Sequence, residues 1–474
     1  MRKHMKRDLL KELREGAQLT RGDQIRLIVQ LSLPAIMAQL SHIVMQYIDA
    51  AMVGRLGSGQ SASIGLMASS TWLLSGMCQA AVIGFTVQIA QYIGAREEKK
   101  ARNVMKLSFF AAMGFAALVA LLGALVNGAL PGWLVGWLGA DASIASDANA
   151  YILVYALSLP FVQLNNLAGG TLQASGNMRV PSTLQALMCL LDVVFNALLI
   201  FPGMTVLGVH IPGAGLGVLG AALGTALAQA VTALLMMFFL LVRSPMMRLR
   251  RGEGFVFERR YLMRGLRIAL PIGAERVIVA GAQVMATRIV APLGTVAIAA
   301  NSFGVTAESL CYMPGYGISA AAATLIGQSI GAKRDDLTRR LGVLTVALGI
   351  MVMSVSGALM YVFAPAMISI MSPDPAVVEL GASVLRIEAF AEPMFAASIV
   401  CSGVFRGAGD TLVPSIFNFA SMWGVRLPLA ALLAPHIGLH GVWIAMAADI
   451  IVGGILFLVR LRGRKWMRAE TRKA

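Results

Sequence analysis

The run LMCLLDVVFNALLIF places a carboxylate, Asp192, four residues before an amide, Asn196. On a helix that spacing puts both side chains on one face. A carboxylate with an amide oxygen beside it can ligate a monovalent cation, and the carboxylate alone can take up a proton. The competing reading is a structural Asp held by hydrogen bonds. Asp49, in QYIDAAMVGRLG, offers the same chemistry, or else is a hydrated carboxylate beside Arg55. Glu388 and Glu392 are also four apart, with Pro393 next to the second. Like charges at that spacing repel. One of the two must then hold a proton or a cation, unless Arg386 or Arg426 joins them in a salt-bridge network. Glu275, beside Arg276 and after Pro271, is either another such site or the partner of an Arg on a different helix.

Catalytic constellations do not occur. The chain has no phosphate-cradling GxxxxGK[ST] and no HExxH. His42, His210, His436 and His440 are scattered, and Cys78, Cys189, Cys311 and Cys401 lie in apolar runs without ligand spacing. The chain is therefore expected not to be an enzyme, to need no cofactor, to hold no metal beyond Na⁺, and not to be driven by its own ATP hydrolysis.

The elements that must carry these acids are membrane spans. Hydrophobic residues make up 58% of the 474-residue chain and charged residues 13%, with mean hydropathy +0.75. A soluble domain has about a quarter charged residues. The apolar residues also fall in runs of roughly 20, the length that crosses a hydrocarbon core. Twelve such runs are found, near 27–53, 62–92, 104–130, 150–173, 182–202, 215–242, 266–291, 297–328, 341–366, 380–404, 412–435 and 438–460. Only helices suit them, because lipid leaves no partner for open backbone. Asp192 then sits near the midplane, where an ionisable group is costly and marks function by default. Asp49 and Asp192 are the only acids in the first six spans, where the one basic residue, Lys106, sits at a span end, whereas the last six mix acids with Arg276, Arg288, Arg386 and Arg426. The second half can neutralise itself; the first cannot without taking up a cation.

The net charge is +16, and most of the Lys and Arg behind it sit in clusters at 2–26, 96–106, 243–267, 333–340 and 460–473. Clusters on alternate connections follow the positive-inside rule, so both termini are expected in the cytoplasm of a plasma-membrane protein. No basic groove interleaved with aromatics suggests nucleic acid. The N-terminus is charged and the first apolar run is span-length, unlike a cleaved leader.

The chain also repeats itself. QYIGAREEKKAR at Gln91 returns as QSIGAKRDDLTR at Gln328, an offset of 237 that also pairs Pro34 with Pro271 and Gln46 with Gln283. At an offset of 233, Gly176 meets Gly409 and Pro181 meets Pro414. Duplicated halves of six spans keep the same orientation, with a pseudo-twofold along the membrane normal. The expectation is an all-α polytopic membrane protein of twelve transmembrane helices in two six-helix lobes. Its parts are an amphipathic N-terminus (1–26), the first lobe (27–242), a linker (243–265), the second lobe (266–460) and a basic tail (461–474).

SLPAIMAQ…YIDAAMVGRLG, QYIGAREEKKARNV, LQASGNMRVPS, LPIGAE, IGQSIGAKRDD and VFRGAGDTLVPS together resemble the multidrug and toxic compound extrusion (MATE) family from about Ile25 to Arg460. The resemblance implies a central cavity opened alternately to each side. It also implies export of organic cations and amphipathic drugs in exchange for H⁺ or Na⁺. Asp49 matches the family's first-span acid, Thr225 its sixth-span threonine and Glu275 its seventh-span acid. In the fifth span the family's Asn-then-Asp order is reversed here, which shifts the charge by one turn, about 5 Å. Arg406 matches a position read as structural. The alternative is a flippase of lipid-linked precursors, which would want several Arg around its cavity. Small-molecule substrate and membrane lipid are the expected partners, and a monomer the expected state.

Overall fold

The computed structural model describes residues 8–129, 142–206, 209–250 and 252–468. The end of the third predicted span, its following connection and both extreme termini lie outside the described residues. A short helix α1 (Leu9–Glu15) comes first, followed by α2 (Arg21–Gly54), α3 (Ser58–Gly94), α4 (Glu98–Ala129), α5 (Ala142–Ala174) and α6 (Arg179–Ile200). A hairpin of β1 (Gly203–Val206) and β2 (Val209–Pro212), with Met204 opposite Ile211, fills the connection to α7 (Gly217–Phe238). The second lobe is α8 (Arg259–Val290), α9 (Thr295–Gly331), α10 (Asp335–Ser369), α11 (Pro375–Ala389), α12 (Glu392–Ala408), α13 (Leu412–Ser421), α14 (Leu427–Ile437) and α15 (Leu439–Arg462). Among the described residues ten helices are long and apolar enough to cross a membrane. The polar-rich α9 and the pair α11–α12 supply the remaining two.

Local chemistry sets the boundaries. A capping box starts α2: Thr20 Oγ1 accepts from the Asp23 amide, and the Thr20 amide donates to Asp23 Oδ2. The predicted tenth span is not one helix. It breaks at Phe390–Ala391, because Pro393 is accepted only in the first turn of a helix, so α12 must begin afresh at Glu392. A π-turn at Met422–Arg426 similarly interrupts the eleventh span between α13 and α14.

The halves repeat down to the backbone. Gly57 and Gly294 have φ of 128° and 97°, and Gly176 and Gly409 have 92° and 81°. Arg96 and Lys333, in the two copies of the basic phrase, are the only non-glycine residues with positive φ, at 63° and 56°, among the described residues.

The lobes meet at the end of the bundle that carries the basic connections. There α3 and α9 cross so closely that a Cβ on Gly94 would lie 2.0 Å from the Gln328 carbonyl oxygen, and one on Gly331 1.9 Å from that of Gln91. Each glutamine also reaches across: Gln91 Nε2 donates to Gly407 O at 3.2 Å, and Gln328 Nε2 to Ala174 O at 2.8 Å. The repeated phrase is thus the seam between the lobes, and its glycines permit the contact. Helix α1 wedges into the same end. Leu9, Leu10 and Leu13 are buried against Leu325, Ile326 and Leu337. Arg334 Nη1 donates to Ala17 O at 2.6 Å, and Arg14 Nη1 reaches Met246 Sδ at 2.8 Å.

The segment 244–258 between the lobes is strapped down by Arg102. Its Nε and Nη2 each donate to one Glu253 oxygen at 2.7 Å, a bidentate pair. That donation holds the Glu253 carboxyl below its ordinary range. A depressed folded value means that the stabilisation is present above the ordinary Glu value and is lost as pH falls through the folded one. Acidification is therefore expected to lower amide-exchange protection of 244–258, and Glu253→Gln to lower it at every pH. Protection of the wild type that does not change with pH would contradict the assignment.

Candidate functional site

Helix α6 packs between α2 and α7, so its inward face determines what three helices share. That face carries Asp192 and Asn196, both buried. The Asn196 amide donates to Asp49 Oδ1 at 3.0 Å and to Asp192 Oδ2 at 3.1 Å, joining α2 to α6. Thr225, on α7, stands beside Asp192. The four residues singled out in the first half thus form one group. Asp49 bonds the amide rather than standing beside Arg55, and the same amide ties Asp192 to it across two helices. Its Oδ1 is buried without a partner, as is Asn196 Oδ1.

Two carboxylates tied to one amide, Asp192 buried and Asp49 half-buried, with no cationic side chain bonded to them among the described residues, cannot both be ionised cheaply. The group therefore needs a proton or a monovalent cation. The two orphaned oxygens are acceptors of the kind either would use.

Three neighbours escaped the sequence. His42 and Tyr151 both lie within electrostatic reach of Asp192. Tyr151 comes from α5, which carries none of the site's acids, and His42 lies on α2 two turns before Asp49, a spacing that shows its relation to Asp192 only once α6 is packed beside it. Gly224 reads in sequence as a small residue for helix packing, yet a Cβ there would lie 2.1 Å from Asn196 Oδ1. Its hydrogen makes room for the amide. Gly224→Ala should therefore displace Asn196 and slow gradient-driven transport while the protein stays monodisperse and helical. An unchanged transport rate would show that the amide position does not matter.

The acids of the second lobe divide into two places. Glu275 accepts from Ser415 Oγ and from Asn418 Nδ2, each at 2.7 Å. It forms no ion pair with Arg276. Glu388 and Glu392 are fully buried, and none of their four carboxyl oxygens has a partner. The helix break separates them, so they do not share one continuous helical face. The alternative, a salt-bridge network with Arg386 or Arg426, does not form among the described residues. Arg426 instead pairs with Asp449 at 2.9 Å, and Arg386 lies over the Tyr361 ring at 5.6 Å. The second lobe does not neutralise these two acids by ion pairs, and Glu308 from α9 adds a third carboxyl within electrostatic reach.

Comparison with known proteins finds relatives along the length of the chain. The family model described as MatE matches residues 34–198 and 271–432, two stretches whose starts are 237 residues apart. A probable multidrug resistance protein NorM from Thermotoga maritima is 27% identical over 452 residues, covering 93% of this chain and 92% of that protein. An uncharacterized transporter, YisQ, from Bacillus subtilis is 25% identical, covering 94% and 96%. Among solved structures, an outward-facing multidrug resistance transporter of the MOP superfamily superposes with TM-score 0.87 at 21% identity, covering 99% of each chain. A MOP superfamily transporter from Pyrococcus furiosus superposes with TM-score 0.86 at 20% identity, covering 96% and 97%.

Proposed function

Since the chain belongs to the MatE family, whose members are multi-pass membrane transporters and not enzymes, we propose that it exports organic cations or amphipathic drugs in exchange for protons. The observation that carries this is the Asp49–Asn196–Asp192 group, a buried site with surplus negative charge and two unused acceptor oxygens. Thr225 supports Asp192. A proton suits the site better than Na⁺, because the Asn196 amide group already occupies the place between the carboxylates where a cation would sit. Glu275, Glu388 and Glu392 serve as further candidate sites in the second lobe. Uptake at Asp49 and Asp192 favours one packing of the first lobe and weakens its hold on substrate, so the two ligands exchange across alternating states.

The basic end is assigned to the cytoplasm of the plasma membrane, with both termini, by its Lys and Arg content. A single chain holds both lobes and every candidate site, so a monomer suffices. The lipid-linked flippase reading is not favoured, because the curated relatives include multidrug resistance proteins.

Proteoliposomes loaded with a cationic dye and given either an H⁺ or a Na⁺ gradient test the reading. Export driven by the H⁺ gradient alone is expected. Export driven by Na⁺ alone would correct the ion, and a cationic dye that moves under neither gradient would remove the function.

A further inference from the structure

Two guanidinium groups inside the second lobe have no carboxylate partner. Arg406, near the end of α12, donates from Nε to Ser402 O at 3.3 Å and from Nη2 to Ser319 Oγ at 2.8 Å. Arg276, on α8, donates from Nη2 to Gln79 Oε1 at 3.2 Å and lies 5.6 Å from the centre of the Trp72 ring. Neither is within ion-pair distance of an acid among the described residues. Both line one cavity of about 110 Å³ together with Glu275, Tyr316, Ser398 and Asn418. The acid present is already engaged: each Glu275 oxygen accepts a hydrogen bond, from Asn418 and from Ser415. The cavity therefore has two cations, one committed anion and a surplus of one positive charge. This is the opposite balance to the Asp49–Asp192 group.

An intramembrane Arg is costly unless something neutralises it. Its planar fork is matched to a carboxylate, which it can hold through two parallel hydrogen bonds. The space is that of roughly four waters at ~30 Å³ each, which fits the end of a ligand and not a whole drug. The cavity is lined by the second lobe, but Arg276 also touches the first lobe. Gln79 and Trp72 belong to α3, and a Cβ on Gly76 of the same helix would lie 3.2 Å from Arg276 Cδ.

We propose that this cavity is an anion subsite that holds the carboxylate of a zwitterionic substrate between Arg276 and Arg406. The inference rests on the export reading above and narrows its substrate class to amphiphiles that carry an acid as well as an amine. A carboxylate that draws the Arg276 guanidinium toward itself takes it from Gln79 and Trp72, so occupancy loosens one contact between the lobes. Substrate binding and lobe opening are thereby linked at one side chain.

The test uses full-length protein in nanodiscs and two dyes that differ in one group. Rhodamine 110 carries a free carboxylic acid, and rhodamine 123 is its methyl ester. Fluorescence polarisation should show the wild type binding the acid about tenfold more tightly than the ester, one lost charge-assisted hydrogen-bond pair being worth about that factor. Arg276→Gln and Arg406→Gln should each remove the preference by weakening the acid and leaving the ester unchanged. Arg406→Lys, which keeps the charge, should retain part of it and so guards against a packing defect. Equal affinities in the wild type, or a preference that survives the double Gln variant, would overturn the subsite. A preference abolished by adding phosphatidylglycerol to the discs would assign the cavity to a lipid phosphate and also overturn it. Gradient-driven export of the ester separates the two readings. If the ester is exported but the acid is not preferred, only the subsite fails; if neither dye moves, the export reading fails with it.

Discussion

Asp192→Asn is expected to bring gradient-driven dye export down to the level of empty liposomes. The substitution keeps the size of the side chain and can still hydrogen-bond the Asn196 amide, so packing changes little. It removes the group that would gain and lose the coupling proton. With an amide at 192 only Asp49 remains charged, and the repulsion that forces uptake of a proton or cation disappears. The thermal midpoint should not fall, because breaking a buried like-charge pair relieves a cost. Inactive protein with an unchanged or higher midpoint separates lost coupling from misfolding. Sustained export by the variant would mean that the proton is taken up elsewhere, and Glu388 and Glu392 would be next in line.

The second large effect is expected at the seam. Gly331→Val places a β-branched side chain where even a Cβ would lie 1.9 Å from the Gln91 carbonyl oxygen. Backbone on both sides leaves nothing flexible to yield, so the lobes must separate at the basic end. Overpacking of this kind costs about 2 kcal/mol. Placed on a two-state equilibrium, that is roughly a thirtyfold shift away from the sealed arrangement. Gly94→Val should act alike through Gln328, since the two contacts are copies of each other. Spin labels placed either side of the seam should report a longer distance in both variants. Unchanged distances would mean that the crossing is not what closes this end.

Much of this was legible in the sequence, and for identifiable reasons. Span positions follow from apolar run length, and the duplication follows from Pro34 with Pro271 and Gln91 with Gln328. Those residues recur because the same helix crossing is built twice. The Asp192–Asn196 pair could be read because one helix carries both members. What required three dimensions is whatever two helices make together: Asn196 reaching Asp49, Gly224 yielding space to Asn196, and Arg276 leaning on Trp72 of the other lobe. The reading failed where local chemistry broke a helix. Treating the tenth span as continuous put Glu388 and Glu392 on one face, although Pro393 marks where it must restart. The supposed neutrality of the second lobe failed for a related reason. A count of charges says nothing about which Arg reaches which acid.

Helix α1 has a practical consequence for anyone preparing this protein. Its leucines fill the basic end between the lobes, and the chain immediately before it is where an affinity tag would be fused. A bulky amino-terminal fusion that draws Leu10 and Leu13 out of their cluster is expected to yield a preparation with a different mix of conformers from the native chain. Purification handles belong at the other terminus, and side-by-side spin-label distances on the two tagged forms would show how much the wedge contributes.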